Sequence, residues 1–319
     1  MPKVKICGLT SADDAFVVAG AGADYAGLNF AGGPRKIQVE TAREIIEALG
    51  KETQAVAVFM DHKIDEIARV MGNLGISFLQ LHGAEDPAMV ADLSRTFNVI
   101  KTIKIEGADS LKEMDRCAPW AFLLDTKVPG QAGGTGRTFD WSIAAQAAQR
   151  ARIFLAGGLT PDNVEQAILA ANPYGVDAAS GVEVVAGRKD MDLVSRFTRI
   201  GKMRVETRKV PLAEAKPGQR TAKAVQDPKG RSLLNAGVFL NAAHLRRFER
   251  NKVPELWIHE LMESPRDNPG EAVELSAQAS PCDRAQALSN LLEKAPDNSF
   301  ARALREEAQK RAGVSRNWF

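Results

Sequence analysis

From residue 3 to about residue 205 the chain alternates short apolar runs with stretches whose apolar positions recur every three or four residues. The runs cover residues 4–7, 25–29, 55–59, 78–81, 99–105, 121–125, 153–156 and 175–178. Each is rich in Val, Ile, Leu, Phe and Ala and short enough for a strand buried on both faces. Between them, residues 41–49 (TAREIIEAL), 64–74 and 162–171 carry the helical period and read as amphipathic helices. Strands alternating with helices predict parallel strands joined by right-handed crossovers. Eight such units in about 200 residues favour a closed (β/α)8 TIM barrel over an open doubly wound sheet.

In such a barrel the chemistry gathers where the strands run out at their C-terminal ends, because the eight βα loops converge there. Cys7 closes the first run and is followed by glycine, so a thiol stands beside room for a ligand and can act as base or nucleophile once deprotonated. A lone cysteine is also a common small buried apolar group. The two-residue period of a strand places Lys5 on the same face as Cys7, which points an ammonium into the barrel. That charge needs a partner, and it is expected to lower the thiol pKa. Asp125 ends the run AFLL and is a candidate proton donor or acceptor at the mouth, with helix capping or loop bracing as the plainer role. The segment after it, VPGQAGGTGRTFDW, suits a mobile cover or close backbone approach to a ligand.

Neither a dinucleotide-binding GxGxxG nor a Walker A motif is present. Gly157 and Gly158 after the seventh run, and Ser180 and Gly181 after the eighth, occupy the loops from which barrels commonly build a phosphate site; two tight turns are the alternative. Asp177, inside the last run, faces either a sugar hydroxyl or interior polar groups. Arg35 follows Gly32-Gly33-Pro34, where a guanidinium on a rigid turn suits capture of a carboxylate, unless it is simply solvated. His82 follows LQL; with no second histidine or carboxylate at ligand spacing nearby, it reads as a wall residue, and no metal site is expected.

Composition narrows the partners. Of 319 residues, 42 are Lys or Arg and 40 are Asp or Glu, a net charge of +2, too small for nucleic acid or a membrane surface to be the default partner. Cys7, Cys117 and Cys282 are odd in number and far apart, which fits neither a disulfide framework nor a CxxC site. No apolar run of signal-peptide or membrane-spanning length is seen, so a cytoplasmic protein is expected. Past residue 206 the alternation stops. Residues 206–319 hold 19 basic against 15 acidic side chains, a net +4 that leaves −2 for the barrel. Residues 264–281 have the composition of a linker, followed by expected short helices over 283–294 and 299–311.

Taken together, KICGLT, GLNF with GPR, VAVF, LQLHG, LLDTKVPGQAGGTGRTFDW, LAGGLTPDNV and GVDAASGVE resemble the phosphoribosylanthranilate isomerase family in order and spacing, over residues 3 to about 205. Members usually have serine where this chain has Gly33. The resemblance implies an Amadori rearrangement of N-(5-phosphoribosyl)anthranilate to the deoxyribulose phosphate, in tryptophan biosynthesis, with no cofactor. It casts Asp125 as the general acid that opens the furanose and Cys7 as the base that removes the C2 proton. Arg35 would hold the anthranilate carboxylate, and Gly157, Gly158, Ser180 and Gly181 the phosphate; Asp177 and His82 complete the expected substrate-binding set. Histidine-pathway isomerases run similar chemistry with paired aspartates at strands one and five, but here those strands end in Cys7 and in Lys104-Ile105.

Residues 211–258 resemble the small β-rich module found before HD-GYP phosphodiesterase domains, through a Pro-Gly turn, an Asp-x-x-Gly turn, a Leu-Leu strand and a helix over 241–249. The expected organisation is a barrel over 1–206, a module over 207–262 and linker with short helices over 263–319. The module is expected to dock a partner, self-associate, regulate, or be an inert appendage. The competing whole-chain reading is a non-catalytic barrel used as a binding scaffold, and the presence of Cys7, Asp125 and Arg35 speaks against it.

Overall fold

The computed structural model describes residues 1–126 and 138–263. Eight parallel strands, β1 (Lys3–Cys7), β2 (Tyr25–Asn29), β3 (Gln54–Phe59), β4 (Phe78–Leu81), β5 (Asn98–Ile105), β6 (Ala121–Thr126), β7 (Ile153–Leu155) and β8 (Gly175–Ala178), pair in sequence order. β8 then pairs with β1 and closes the barrel. The apolar runs thus become strands within a residue or two of their expected limits.

The outer helices follow from capping and stripe. α1 (Ala12–Gly20) starts where the Ser11 side chain accepts from the Asp14 N–H, and α2 (Val39–Leu49) and α3 (Ile64–Leu74) bury Ile45 and Leu49, and Ile67 and Met71, against the strands. α4 (Pro87–Ser94) has an Asp86 cap and proline in its first turn, where a missing N–H is harmless. α5 (Trp141–Ala148), α6 (Val164–Ala171) and α7 (Met191–Gly201) complete the shell. After β5 the crossover is a 3-10 segment, Ala108–Arg116, that the periodicity did not announce.

Inside the barrel two materials are used. Toward the N-terminal end of the strands, Tyr25, Val56, Ile100, Ala121, Leu123 and Phe154 form an apolar floor joined by Phe78, Trp120 and Tyr174, and Ala156, just past β7, belongs to the same cluster. Above it lie charges: Lys5 of β1 faces Asp177 of β8, and Lys104 of β5 faces Asp125 of β6.

Two short strands, β9 (Glu183–Val185) and β10 (Arg188–Lys189), form a hairpin after β8. β11 (Arg204–Pro211) leaves α7 and pairs antiparallel along its whole length with β15 (Glu255–Met262). β12 (Arg220–Thr221) flanks the other side of β15, and β13 (Val225–Gln226) pairs with β14 (Ser232–Leu234). The Asp-x-x-Gly turn forms as the sequence suggests, with the Asp227 carboxylate accepting from the N–H groups of Lys229 and Arg231. α8 (Ala242–Arg250) begins at an Asn241 cap. Val210, Val225, Leu240, Phe248, Val253, Leu256 and Ile258 give this extension its own small core. It is also seamed to the barrel: Leu261 joins the main core, and Arg220 donates to the Leu169 carbonyl in the last turn of α6, at 2.5 Å. No helix among the described residues is long and apolar enough to cross a membrane. The expected linker, the helices over 283–294 and 299–311, and residues 128–137 of the glycine-rich segment lie outside the described residues.

Candidate active site

Cys7 ends β1 with its carbonyl held by the Lys189 ammonium at 2.6 Å. Two residues earlier on the same face, Lys5 is buried, 2.9 Å from Asp177 Oδ1; Asp177 is therefore the counter-ion that the sequence required without identifying. Burial works against the Lys5 ammonium, but the Asp177 carboxylate and the Cys7 sulfur outweigh it and raise its pKa. The expectation for Cys7 is corrected in sign. Burial pushes the thiol pKa up by more than Lys5 and Lys189 pull it down, and the Asp177 charge adds to the rise. A buried counter-ion shields much of what the ammonium would have done.

Asp125 lies in β6, one residue before its end. Its Oδ1 accepts from the Thr126 N–H at 2.9 Å, and its Oδ2 accepts from the Lys104 ammonium. Lys104 also touches His82 Nε2 at 2.8 Å, and His82 Nε2 is 3.7 Å from Asp125 Oδ2. Burial, reinforced by the Lys104 charge, lowers the His82 pKa to about 4. The ring is thus neutral near pH 7: Nε2 accepts from Lys104, and Nδ1 lies 2.9 Å from Gln80 Nε2 and 3.1 Å from Thr102 Oγ1. Burial raises the Asp177 pKa by more than Lys5 lowers it, and the charge of Asp125 adds to the rise.

The two glycine loops also meet at this mouth. Gly157 has φ +80°, and a methyl group on it would lie 2.3 Å from Thr126 Oγ1 and 3.1 Å from Asp125 Oδ1. The Asn163 side chain ties the loop to α6, donating to the Gly158 carbonyl at 2.9 Å and accepting from the Thr160 N–H at 2.8 Å. A methyl on Gly181 would lie 1.9 Å from the Leu159 carbonyl oxygen, so the loops after β7 and β8 press together. Ser180 opens a single 3-10 turn, Ser180–Val182. Bare backbone approaching this closely is the kind of surface that takes a phosphate.

Arg35 is not a free surface guanidinium. Its Nε lies 2.9 Å from Glu183 Oε1 and its Nη2 2.6 Å from Glu183 Oε2. Glu183 is held in turn by Lys189 at 2.7 Å. Burial works against the Glu183 carboxylate, yet Arg35 and Lys189 outweigh it and keep its pKa below the usual carboxylate range. Lys104, Glu183 and Lys189 are the residues that sequence reasoning passed over. Lys104 stood at a strand end and Glu183 inside the GVE motif; an unexplained charge at a barrel mouth was the available signal.

The family model described as N-(5'phosphoribosyl)anthranilate (PRA) isomerase matches residues 4–199. The N-(5'-phosphoribosyl)anthranilate isomerase of Pelobacter propionicus is 44% identical over 203 residues, covering 63% of this chain and 96% of that protein. The protein of the same name from Rubrobacter xylanophilus is 45% identical over 206 residues, 63% of this chain and all of its own length. Among solved structures, the phosphoribosyl anthranilate isomerase of Thermotoga maritima superposes with TM-score 0.60 at 34% identity, covering 63% of this chain and 99% of that one. A phosphoribosyl anthranilate isomerase in complex with reduced 1-(o-carboxyphenylamino)-1-deoxyribulose 5-phosphate superposes with TM-score 0.58 at 32% identity, over 63% of this chain and 99% of that one.

Proposed function

Because this chain belongs to the N-(5'-phosphoribosyl)anthranilate isomerase family and is an isomerase of tryptophan biosynthesis, we propose that its barrel mouth performs the Amadori rearrangement with Asp125 as acid and Cys7 as base. Asp125 gives a proton to the furanose oxygen as the C1–O bond breaks, and the anilino nitrogen supplies the electron pair that makes the C1=N bond of the cationic Schiff base. The Lys104 ammonium, hydrogen-bonded to Asp125 Oδ2, steadies the carboxylate that is left. Cys7 then removes the C2 proton, and the electrons move into C1=C2 to give the enaminol. The Cys7 thiol then returns its proton to C1 and the Asp125 carboxylate takes up the O2 proton, which restores both groups and completes 1-(2-carboxyphenylamino)-1-deoxyribulose 5-phosphate.

A thiol raised by burial is a workable base here. The reacting form carries its proton on Asp125 and not on Cys7, and the positive iminium formed beside the thiolate stabilises it while acidifying the adjacent C–H. Arg35 holds the anthranilate carboxylate, and the loops at Gly157, Gly158, Ser180 and Gly181 hold the phosphate. These opposed anchors fix C2 between acid and base. Asp177 and His82 face the sugar from the barrel wall. The observation that carries the reading is that Cys7 at the end of β1 and Asp125 near the end of β6 stand at the same, C-terminal end of one closed parallel barrel. The test is turnover by the purified full chain of freshly prepared N-(5'-phosphoribosyl)anthranilate, followed by loss of substrate fluorescence. Saturable loss with formation of the aminoketose is expected, and unchanged fluorescence ends the reading.

For the rest of the chain the proposed organisation is a barrel over 1–206, a docking or regulatory module over 207–262 that meets a protein partner or a second copy, and a tail over 263–319. The small core of the extension and its seam through Arg220 and Leu261 support a folded unit that rides on the barrel. Comparing the full chain with one ending after Met203, ahead of β11, tests coupling: unchanged kcat/KM would make the module an independent one.

A further inference from the structure

The Arg35 guanidinium is expected to grip the carboxylate of the substrate, yet one edge of its planar fork is already taken by Glu183 through Nε and Nη2. The side chains of Glu183 and Lys189 are almost wholly enclosed, 3% and 0% exposed. Lys189 spends its three donors on Glu183 Oε1 at 2.7 Å, the Cys7 carbonyl at 2.6 Å and the Ala179 carbonyl at 3.3 Å. The stem of Arg35 crosses Gly8, where a methyl group would lie 2.4 Å from Arg35 Cδ. A continuous chain of contacts therefore runs from the backbone of Cys7 through Lys189 and Glu183 to the guanidinium.

Two consequences follow from elementary chemistry. A guanidinium has five N–H donors; with the Nε/Nη2 edge clamped, the Nη1/Nη2 edge remains as a second planar fork whose direction is set. The charges matter equally. Arg35 and Glu183 alone would be neutral and would not draw in an anion, whereas Lys189 leaves the trio with one net positive charge, matched to a single carboxylate.

We propose that Glu183 and Lys189 are positioning residues that aim the free edge of Arg35 and so determine the preference of the enzyme for substrates carrying a carboxylate on the aryl ring. This rests on the reading of Arg35 as the carboxylate anchor.

The test compares kcat/KM for N-(5'-phosphoribosyl)anthranilate with kcat/KM for the aniline analogue that lacks the carboxylate. In Glu183→Gln the ratio of the two falls about tenfold or more, while the aniline analogue changes by less than about threefold. Glu183→Asp keeps the charge beside Lys189 but is one methylene too short to span both donors; it gives an intermediate fall, and it reads the same ratio if the glutamine variant does not fold. Equal slowing of both substrates would make Glu183 merely structural, and a rise in the ratio would make it a competitor of the substrate carboxylate; either overturns the proposal. Arg35→Ala separates the two levels. If that variant keeps the wild-type ratio, the anchor reading itself is wrong; if it collapses the ratio while Glu183→Gln does not, only the positioning role is wrong.

Discussion

At the N-terminal end of the barrel interior the rings of Tyr25 and Phe78 lie 5.3 Å apart, those of Tyr25 and Phe154 5.5 Å, and those of Phe78 and Trp120 5.0 Å, all edge to face. A few residues further along the same strands the chain offers His82 after Phe78, Asp125 after Trp120 and Gly157 after Phe154. The floor satisfies itself: aromatic rings bury large areas in favourable geometry and ask nothing of a ligand. The mouth is the reverse. It holds Lys5 against Asp177, and Lys104 against Asp125 and His82, an arrangement that gives up desolvation energy and that the proposed rearrangement would put to use. One barrel thus separates holding together from reacting along the length of each strand.

That separation breaks in measurable ways. The largest effect belongs to the mouth: Cys7→Ala and Asp125→Asn should each lower kcat/KM by about 10²–10⁴-fold, with the melting temperature nearly unchanged, as thermal unfolding beside steady-state kinetics will show. At the floor, Phe154→Ala empties a site with no exposure, packed against Tyr25 and Tyr174. It should cost about 3–5 kcal/mol of stability in denaturant titration while the folded fraction keeps its kcat.

His82 joins the two ends, because it is a mouth residue that bears on stability. Its pKa is held near 4 in the fold against an ordinary 6.5, so the unfolded chain takes up a proton first as pH falls. The stability it contributes is present above about pH 6.5 and is lost toward pH 4, by up to about 3 kcal/mol. His82→Asn should flatten the pH dependence of unfolding in that window. The smallest effect is at the rim of the floor, where the Arg152 guanidinium lies 5.3 Å from the centre of the Trp120 ring. Arg152→Ala should lower stability by about 0.5–1 kcal/mol with no change in kcat/KM.

How much of this could be read from sequence depends on the range of the interaction. β2, β4 and β8 and helix α3 have the bounds that periodicity assigns, because a strand buried on both faces and a striped helix are local patterns. The 3-10 crossover Ala108–Arg116 buries only Leu111 and Met114, too short an apolar pattern to announce a helix. Lys5 was correctly turned inward by the two-residue period, but its partner Asp177 is 172 residues away. The sign of the Cys7 shift is not legible in sequence, because burial, which decides it, is a property of the closed barrel. Arg35 was seen as an anchor, but Glu183, the carboxylate that occupies half of it, lies 148 residues on. The extension was legible in its turns and helix, and illegible in its seam, since nothing around Arg220 in sequence points to the Leu169 carbonyl.

The central claim is that Asp125 and Cys7 serve successive steps on one substrate, ring opening first and C2 deprotonation second. When two residues lower the barriers of different steps, kcat/KM follows whichever barrier is higher. The most direct measurement is therefore kcat/KM of Cys7→Ala/Asp125→Asn set against the two single variants. The account predicts a double variant no worse than the poorer single one, within about threefold. A double loss equal to the product of the single losses, or full activity in either single variant, would contradict it.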